Sequence, residues 1–458
     1  MTKKILTSCI MILGVILIIS CRKKETATTE EFSIPVDYFK LDNGLKVVLS
    51  RDTTTPVVTV AVYYNIGFRI EPKDRTGFAH LFEHMMFQAS GNLPKGSFDT
   101  LITNNGGINN GSTRFDFTNY YEVVPSNILE PVLWAEADRM SGLAITQENL
   151  SNQQGVVVNE INGALHNQPY GGFPWLDMPQ YANTNWYNAH NFYGDINDVK
   201  SAKTDEVQNF FNTYYAPNNA VVVVRGDFKT GEAKEWIRKY FGGIPSAQQP
   251  EKPDLAEPGQ TEEKVVSKAD SLATRPALAF SYHMPERNTP EYYAMGLLDQ
   301  ILLQGENSLL YTALVKKKGY TGSVDGGINL LGNMFDYNGP MLWTGYLFHD
   351  NNVPADTIMN VVDSVINEVI RKPVDGKTIE RAIIKFRSGF YDELNSTFGQ
   401  GTANLLACFA LFDDDPGRIN TLEDNFRKVT SDLLKQTAEK FLRRENRTVL
   451  KIVPKAGK

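Results

Sequence analysis

The residues best suited to chemistry are His80-Leu81-Phe82-Glu83-His84. On a helix, residues three and four apart share a face, so both imidazoles and the carboxylate project together, about one turn apart. Two imidazoles so placed make a pair of zinc ligands. Glu83 suits a general base better than a ligand, because catalytic zinc keeps one position open for a water that a nearby carboxylate can deprotonate. The neighbours Phe78, Leu81, Phe82, Met85, Met86 and Phe87 are apolar. The helix is therefore expected to be buried, where an unpaired His or Glu costs on the order of several kcal/mol. A cation held by His80 and His84 offsets that cost. The competing account, two core histidines satisfied by ordinary hydrogen bonds, must place two of only six histidines beside a glutamate at ligand spacing. A third protein ligand is needed, and spacing alone leaves Glu136, Asp138, Glu148, Glu160 and His166 open.

These side chains need a scaffold, and 458 residues are enough for two or three domains. With 42% apolar and 22% charged residues, the composition is that of an ordinary globular protein. The formal charge of -7 argues against a broad basic surface, so no nucleic-acid partner is expected. Strands are expected at Lys46-Val47-Val48-Leu49 and over 57–64, and helices over 78–87 and 129–140. A buried strand is expected at Ala220-Val221-Val222-Val223-Val224. This order predicts mixed sheet covered by helices. Between 245 and 274 the chain is rich in Pro, Gln, Glu and Lys, with Pro250, Pro253 and Pro258, which predicts an interdomain linker without regular elements.

Beyond that linker Ala277-Leu278-Ala279-Phe280-Ser281-Tyr282 repeats the strand pattern and 292–304 the helix pattern. A shift of 216 positions lays Leu81 on Leu297, Phe82 on Leu298 and Phe87 on Leu303. His80, Glu83 and His84 fall on Gly296, Asp299 and Gln300. The expected fold is therefore α+β: two homologous α/β sandwich domains, 32–244 and 275–458, joined by the linker, with metal chemistry kept only in the first.

The N-terminus is set apart from the fold. Lys3 and Lys4, an apolar run over 10–19 and Ser20-Cys21 read as a signal peptide over 1–20. Ile18-Ile19-Ser20-Cys21 resembles the lipobox of bacterial lipoproteins, which makes Cys21 the expected lipidation site. The polar stretch 21–31 is then a tether, and the expected location is the bacterial cell envelope, lipid-anchored to a membrane through acylated Cys21, on the periplasmic face or cell surface. Of the three cysteines only Cys408 is left in the folded body, so no disulfide framework is expected. Cys408, His166, His190, His283 and His349 are assigned to structure.

From Phe32 to Pro454 the chain resembles the pitrilysin and insulinase family of zinc peptidases, especially its bacterial two-domain, processing-peptidase-like members. Gly77-Phe78-Ala79-His80 is similar to the opening of the family's zinc helix. Val156-Val157-Val158-Asn159-Glu160-Ile161 resembles the segment bearing the distal ligand. The resemblance makes Glu160 the third ligand, and implies one zinc per chain and hydrolysis of unfolded peptides by a zinc endopeptidase. Gly106-Gly107-Ile108-Asn109-Asn110-Gly111-Ser112-Thr113 resembles the family's Gly-Gly turn and edge strand, although Gly111 stands where alanine is usual. Asn110, Gly111, Ser112 and Thr113 are thus the expected substrate-binding residues, since an edge strand can accept an extended peptide by backbone pairing. The alternation over 113–118 is read as a continuing strand.

The resemblance fails at three further positions. Single-chain members place an arginine and a tyrosine in the second half to hold the substrate carbonyl, where this chain has Val315 and Gly322. An acidic residue often precedes the distal ligand by seven positions, where this chain has Gln153. These departures imply a partner, a homodimer or a heterodimer with a zinc-less homologous subunit that carries the Arg and Tyr. The rival account is a non-catalytic scaffold or peptide-binding subunit of an envelope complex. A zinc hydrolase of non-peptide substrates is weaker, because it gives no reason for the edge-strand match.

Overall fold

The computed structural model describes residues 33–455. The expected signal peptide, the tether and Cys21 lie outside the described residues. Eleven strands form two sheets among the described residues. The first contains β1 (Asp37–Lys40), β2 (Lys46–Arg51), β3 (Val57–Tyr64), β4 (Ile108–Thr113), β5 (Thr118–Pro125) and β6 (Ala220–Gly226), in the order β1-β2-β6-β3-β5-β4. The second contains β7 (Lys264–Asp270), β8 (Ala277–His283), β9 (Asp325–Ile328), β10 (Leu342–Phe348) and β11 (Arg447–Pro454), in the order β7-β11-β8-β10-β9. Each sheet has one parallel pair, β2 with β6 and β7 with β11, and is otherwise antiparallel. Strand for strand, β2-β6-β3-β5-β4 corresponds to β7-β11-β8-β10-β9, so the duplication read from the sequence is present in the topology.

The helices that matter here are α1 (Phe78–Met85), α2 (Leu129–Ser141), α3 (Gln147–Ile161), α4 (Pro290–Leu302) and α5 (Gln400–Asp413). The near-continuous apolar runs of β3, interrupted only by buried Thr59, and of β6 up to Val224 are explained by burial on both faces. Val58, Val60, Val62 and Tyr64 join the core beneath α1 and α2. The opposite face meets α5, where Tyr63 Oη donates to Asn404 Oδ1 at 2.7 Å. α5 is apolar nearly all round, as a helix enclosed on every side must be.

The second sheet is covered in the reverse sense: Phe173, Met178 and Ala182 from the first half pack on Ala277, Ala279, Leu342 and Leu450. Each half therefore covers one face of the other's sheet, and the described residues from Pro35 onward form one unit. A buried clamp adds to this. Arg69 Nε lies 2.8 Å from Asp116 Oδ1, Arg69 Nη1 donates to the Pro340 carbonyl at 2.9 Å, and Asp116 Oδ2 accepts from Asn338 N at 2.7 Å.

Two expectations are corrected. The linker over 245–274 is interrupted by β7, which pairs in parallel with β11 from Lys264 to Asp270. Its alternating half-buried and exposed pattern is that of an edge strand with one face in water, so a polar composition does not preclude it. Of the strand expected over 113–118 only the ends are strand, Thr113 closing β4 and Thr118 opening β5, while 114–117 form the hairpin turn, closed by Arg114 N donating to the Phe117 carbonyl at 2.8 Å.

Candidate metal centre and edge strand

α1 begins at a glycine with no capping side chain of its own. Its free N–H groups are taken from upstream: fully buried Glu71 accepts from Gly77 N at 2.9 Å and from Ala79 N. Burial pushes the Glu71 carboxyl up, while the His190 imidazole and these N–H groups pull against that. Phe78, Leu81, Phe82 and Met85 fill the core, and the remaining face carries His80, Glu83 and His84. α3 packs against α1 and presents Glu160 one residue before its end.

His80, His84 and Glu160 come together with ligand atoms within 4.8 Å of one another. The two imidazole Nε2 atoms are 3.3 Å apart, His80 Nε2 lies 3.4 Å from Glu160 Oε1, and His84 Nε2 lies 3.2 Å from Glu160 Oε2. Tetrahedral ligands at about 2.0–2.1 Å from an ion are separated by about 3.3–3.4 Å, so these spacings fit the donor set of a zinc site. His80 is 2% exposed and turns its Nε2 toward His84 and Glu160, so a cation there would take up a buried ring nitrogen. Burial alone raises the Glu160 carboxyl, but the two imidazoles outweigh it and hold the group well below the usual carboxylate range.

The other four candidate ligands are engaged elsewhere or face water. Glu136 pairs with buried Arg139. Asp138 accepts from Ser90 Oγ at 2.6 Å and from Asn92 N at 2.9 Å. Glu148 and His166 are exposed. Cys408 is buried beside Asp336.

β4 is an edge strand, as expected. Of its four expected substrate residues, Asn110 is exposed and Ser112 half-buried, whereas Gly111 and Thr113 are buried. Thr113 turns its side chain inward, where its Oγ1 donates to Glu83 Oε2 at 2.8 Å. The inward-facing positions of a strand point at the helix beneath, which places Thr113 on the carboxylate. Asn110 Oδ1 accepts from Gly111 N at 2.9 Å and so covers one backbone donor of the strand. Sequence reasoning missed Glu71 and Tyr193, whose Oη donates to Glu160 Oε1 at 3.1 Å. Neither lies at a motif spacing from the groups it holds.

Residues 46–185 match the family model of insulinase, peptidase family M16, and residues 201–386 match that of the peptidase M16 inactive domain. Together they span more than half of the chain. The chain belongs to peptidase family M16. Among its M16 relatives, the zinc protease PqqE of Helicobacter pylori is 25% identical over 419 residues, 89% of this chain and 91% of that one. The mitochondrial-processing peptidase subunit beta of Bos taurus is 26% identical over 215 residues, 47% of this chain and 43% of that one. The crystal structure of a protease from Helicobacter pylori has the same fold, with a TM-score of 0.84 at 22% identity over 92% of this chain and 100% of that one. The M16 inactive-domain match covers the stretch where Gly296, Asp299 and Gln300 stand in place of His80, Glu83 and His84.

Proposed function

We propose that this M16 chain is a zinc-dependent endopeptidase for unfolded peptides, with the ion held by His80, His84 and Glu160 and with Glu83 as general base. The observation that carries the reading is the set of 3.2–3.4 Å separations among the three ligand side chains, beside a carboxylate oriented from the end of an edge strand. When bound, zinc supplies Lewis-acid activation of a water and of the peptide carbonyl. β4 pairs with an extended peptide through its backbone edge, which needs no particular side chain and selects against folded substrates. Glu83 takes a proton from the attacking water and returns it to the leaving amine, while Thr113 holds its Oε2.

The reading includes a paired subunit, a second copy or a zinc-less homologue, that supplies the Arg and Tyr absent at Val315 and Gly322. It also includes lipid anchoring at Cys21 in a bacterial envelope. The relative from Bos taurus, a processing-peptidase subunit by name, supports the pairing.

The test is zinc content and cleavage of a quenched library of unstructured peptides by the purified chain and by Glu83→Gln, each with and without the candidate partner. Stoichiometric zinc in both proteins is expected, with cleavage about 10²–10⁴-fold lower in the variant. Equal cleavage by the two would overturn the role of Glu83, and absence of zinc would overturn the metal centre. A non-catalytic peptide-binding subunit is the second reading, favoured by Val315 and Gly322. It predicts zinc without cleavage under every condition.

A further inference from the structure

The segment that follows the small helices near residue 190 is packed backbone to backbone against the start of α1. Gly77 has φ +80° and Gly194 has φ +65°. A Cβ on Gly77 would sit 2.5 Å from the Tyr193 carbonyl oxygen, and one on Gly194 would sit 2.2 Å from Gly77 N. Only glycine permits both the left-handed conformation and this approach. Side chains lock the contact: Asp195 N donates to Thr76 Oγ1 at 2.7 Å, and Thr76 Oγ1 donates to Asp198 Oδ2 at 2.7 Å.

This loop is thus registered on the helix that carries two ligands, and it delivers Tyr193 to the third. The Tyr193 side chain is 5% exposed, and its ring lies edge-on to His80, with centroids 5.2 Å apart, and against Phe192 at 4.9 Å. Its Oη donates to Glu160 Oε1. Glu160 itself is about two-fifths exposed at the end of α3 and has few other restraints on its rotamer.

We infer that Tyr193 is a positioning residue for the metal centre. Its hydrogen bond to Glu160 Oε1, the oxygen 3.4 Å from His80 Nε2, fixes the carboxylate against the two imidazoles, with Oε2 held 3.2 Å from His84 Nε2. A hydrogen-bonded ligand is pre-ordered for binding, and loss of such an outer contact typically weakens metal affinity about 10–100-fold. The inference rests on the zinc reading above and deepens it.

Tyr193→Phe tests it, because phenylalanine keeps the ring packing and removes only the donor. The zinc dissociation constant of the full chain is measured by competition with a chromophoric chelator, and the visible spectrum of the cobalt-substituted protein reports the ligand geometry. A rise of about 10–100-fold in the constant, with an altered cobalt spectrum and an unchanged thermal midpoint of the metal-free protein, is expected. Wild-type affinity and spectrum in the variant overturn the inference while leaving the metal centre standing. A lower affinity matched by a lower midpoint of the metal-free protein also overturns it, since the phenol would then be only a packing group. A wild-type chain that binds neither ion overturns the zinc reading and the inference together.

Discussion

The two halves share their sheet order but treat the acid on the equivalent helix in opposite ways. In the first, Glu83 of α1 is held by one hydroxyl, Thr113, next to an open edge strand and two imidazoles. In the second, Asp299 of α4 is buried and held by the Trp343 indole N–H at 2.7 Å and by Gln304 at 3.2 Å. Burial pushes the Asp299 carboxyl up to about 6, although these two donors lower it. Gly296 and Gln300 flank it where the first half has histidines, and a cavity of about 530 Å³ opens beside them. Duplication preserved what the backbone dictates, the order and direction of strands, because changing either disrupts an entire core. A ligand set depends on a few side chains and was free to diverge. In the first half Glu160 reaches the two imidazoles from a neighbouring helix, whereas the second has fixed donors that make its acid part of the architecture.

The sharpest way to break this comparison is to exchange the acids' fates. Glu160→Gln should abolish stoichiometric zinc, and Asp299→Asn should leave zinc content unchanged, both read by elemental analysis of the purified chain. Zinc retained in the first variant or lost in the second would place the ion elsewhere. Trp343→Phe should cost about 1–3 kcal/mol by denaturant unfolding, because it strips a fixed donor from a buried carboxylate. A neutral result would mean that Asp299 is held mainly by Gln304.

The pH dependence sharpens the contrast. Asp299 is raised from 3.8 in the unfolded chain to about 6 in the fold, so between these values the folded state binds more protons. The stability it contributes is full below about 3.8 and falls as pH rises through about 6. Asp336, also buried and raised to about 6, acts in the same sense. Unfolding of Asp299→Asn followed across this window should therefore show a shallower decline than wild type, and not a flat line. An equal slope would remove Asp299 from the account. The smallest expected effect is at Thr113→Val, which frees Glu83 from its donor. Cleavage should fall by about tenfold, the equivalent of one hydrogen bond of about 1.4 kcal/mol, with zinc content unchanged. Loss of zinc in this variant would instead make Thr113 a support of the helix.

Much of this was legible in the sequence because it is local. The spacing of His80, Glu83 and His84 sets a common face on any helix, and the apolar runs at 57–64 and 220–224 name strands whatever surrounds them. The strand at 264–270 was not legible, because Lys264, Ser267, Lys268 and Asp270 read as a solvated linker until β11 lies alongside to pair with it. The contact of Thr113 with Glu83 was not legible either, since the register of β4 on β5, which turns the hydroxyl toward the carboxylate, is fixed only by the closed hairpin.

The sequence by itself determined the chemistry available: two imidazoles and a carboxylate on one face, a repeated α/β plan, and an absence of that triad from the second copy. Tertiary structure decided which distant groups complete it. Glu160 lies 76 residues beyond His84 and Tyr193 a further 33 beyond that. Their meeting depends on α3 packing on α1 and on the 193–195 backbone seating against Gly77, contacts between elements that no local periodicity encodes. The same holds for the mutual covering of the two sheets by α5 and the 173–182 segment, which makes two recognisable halves into a single folded unit.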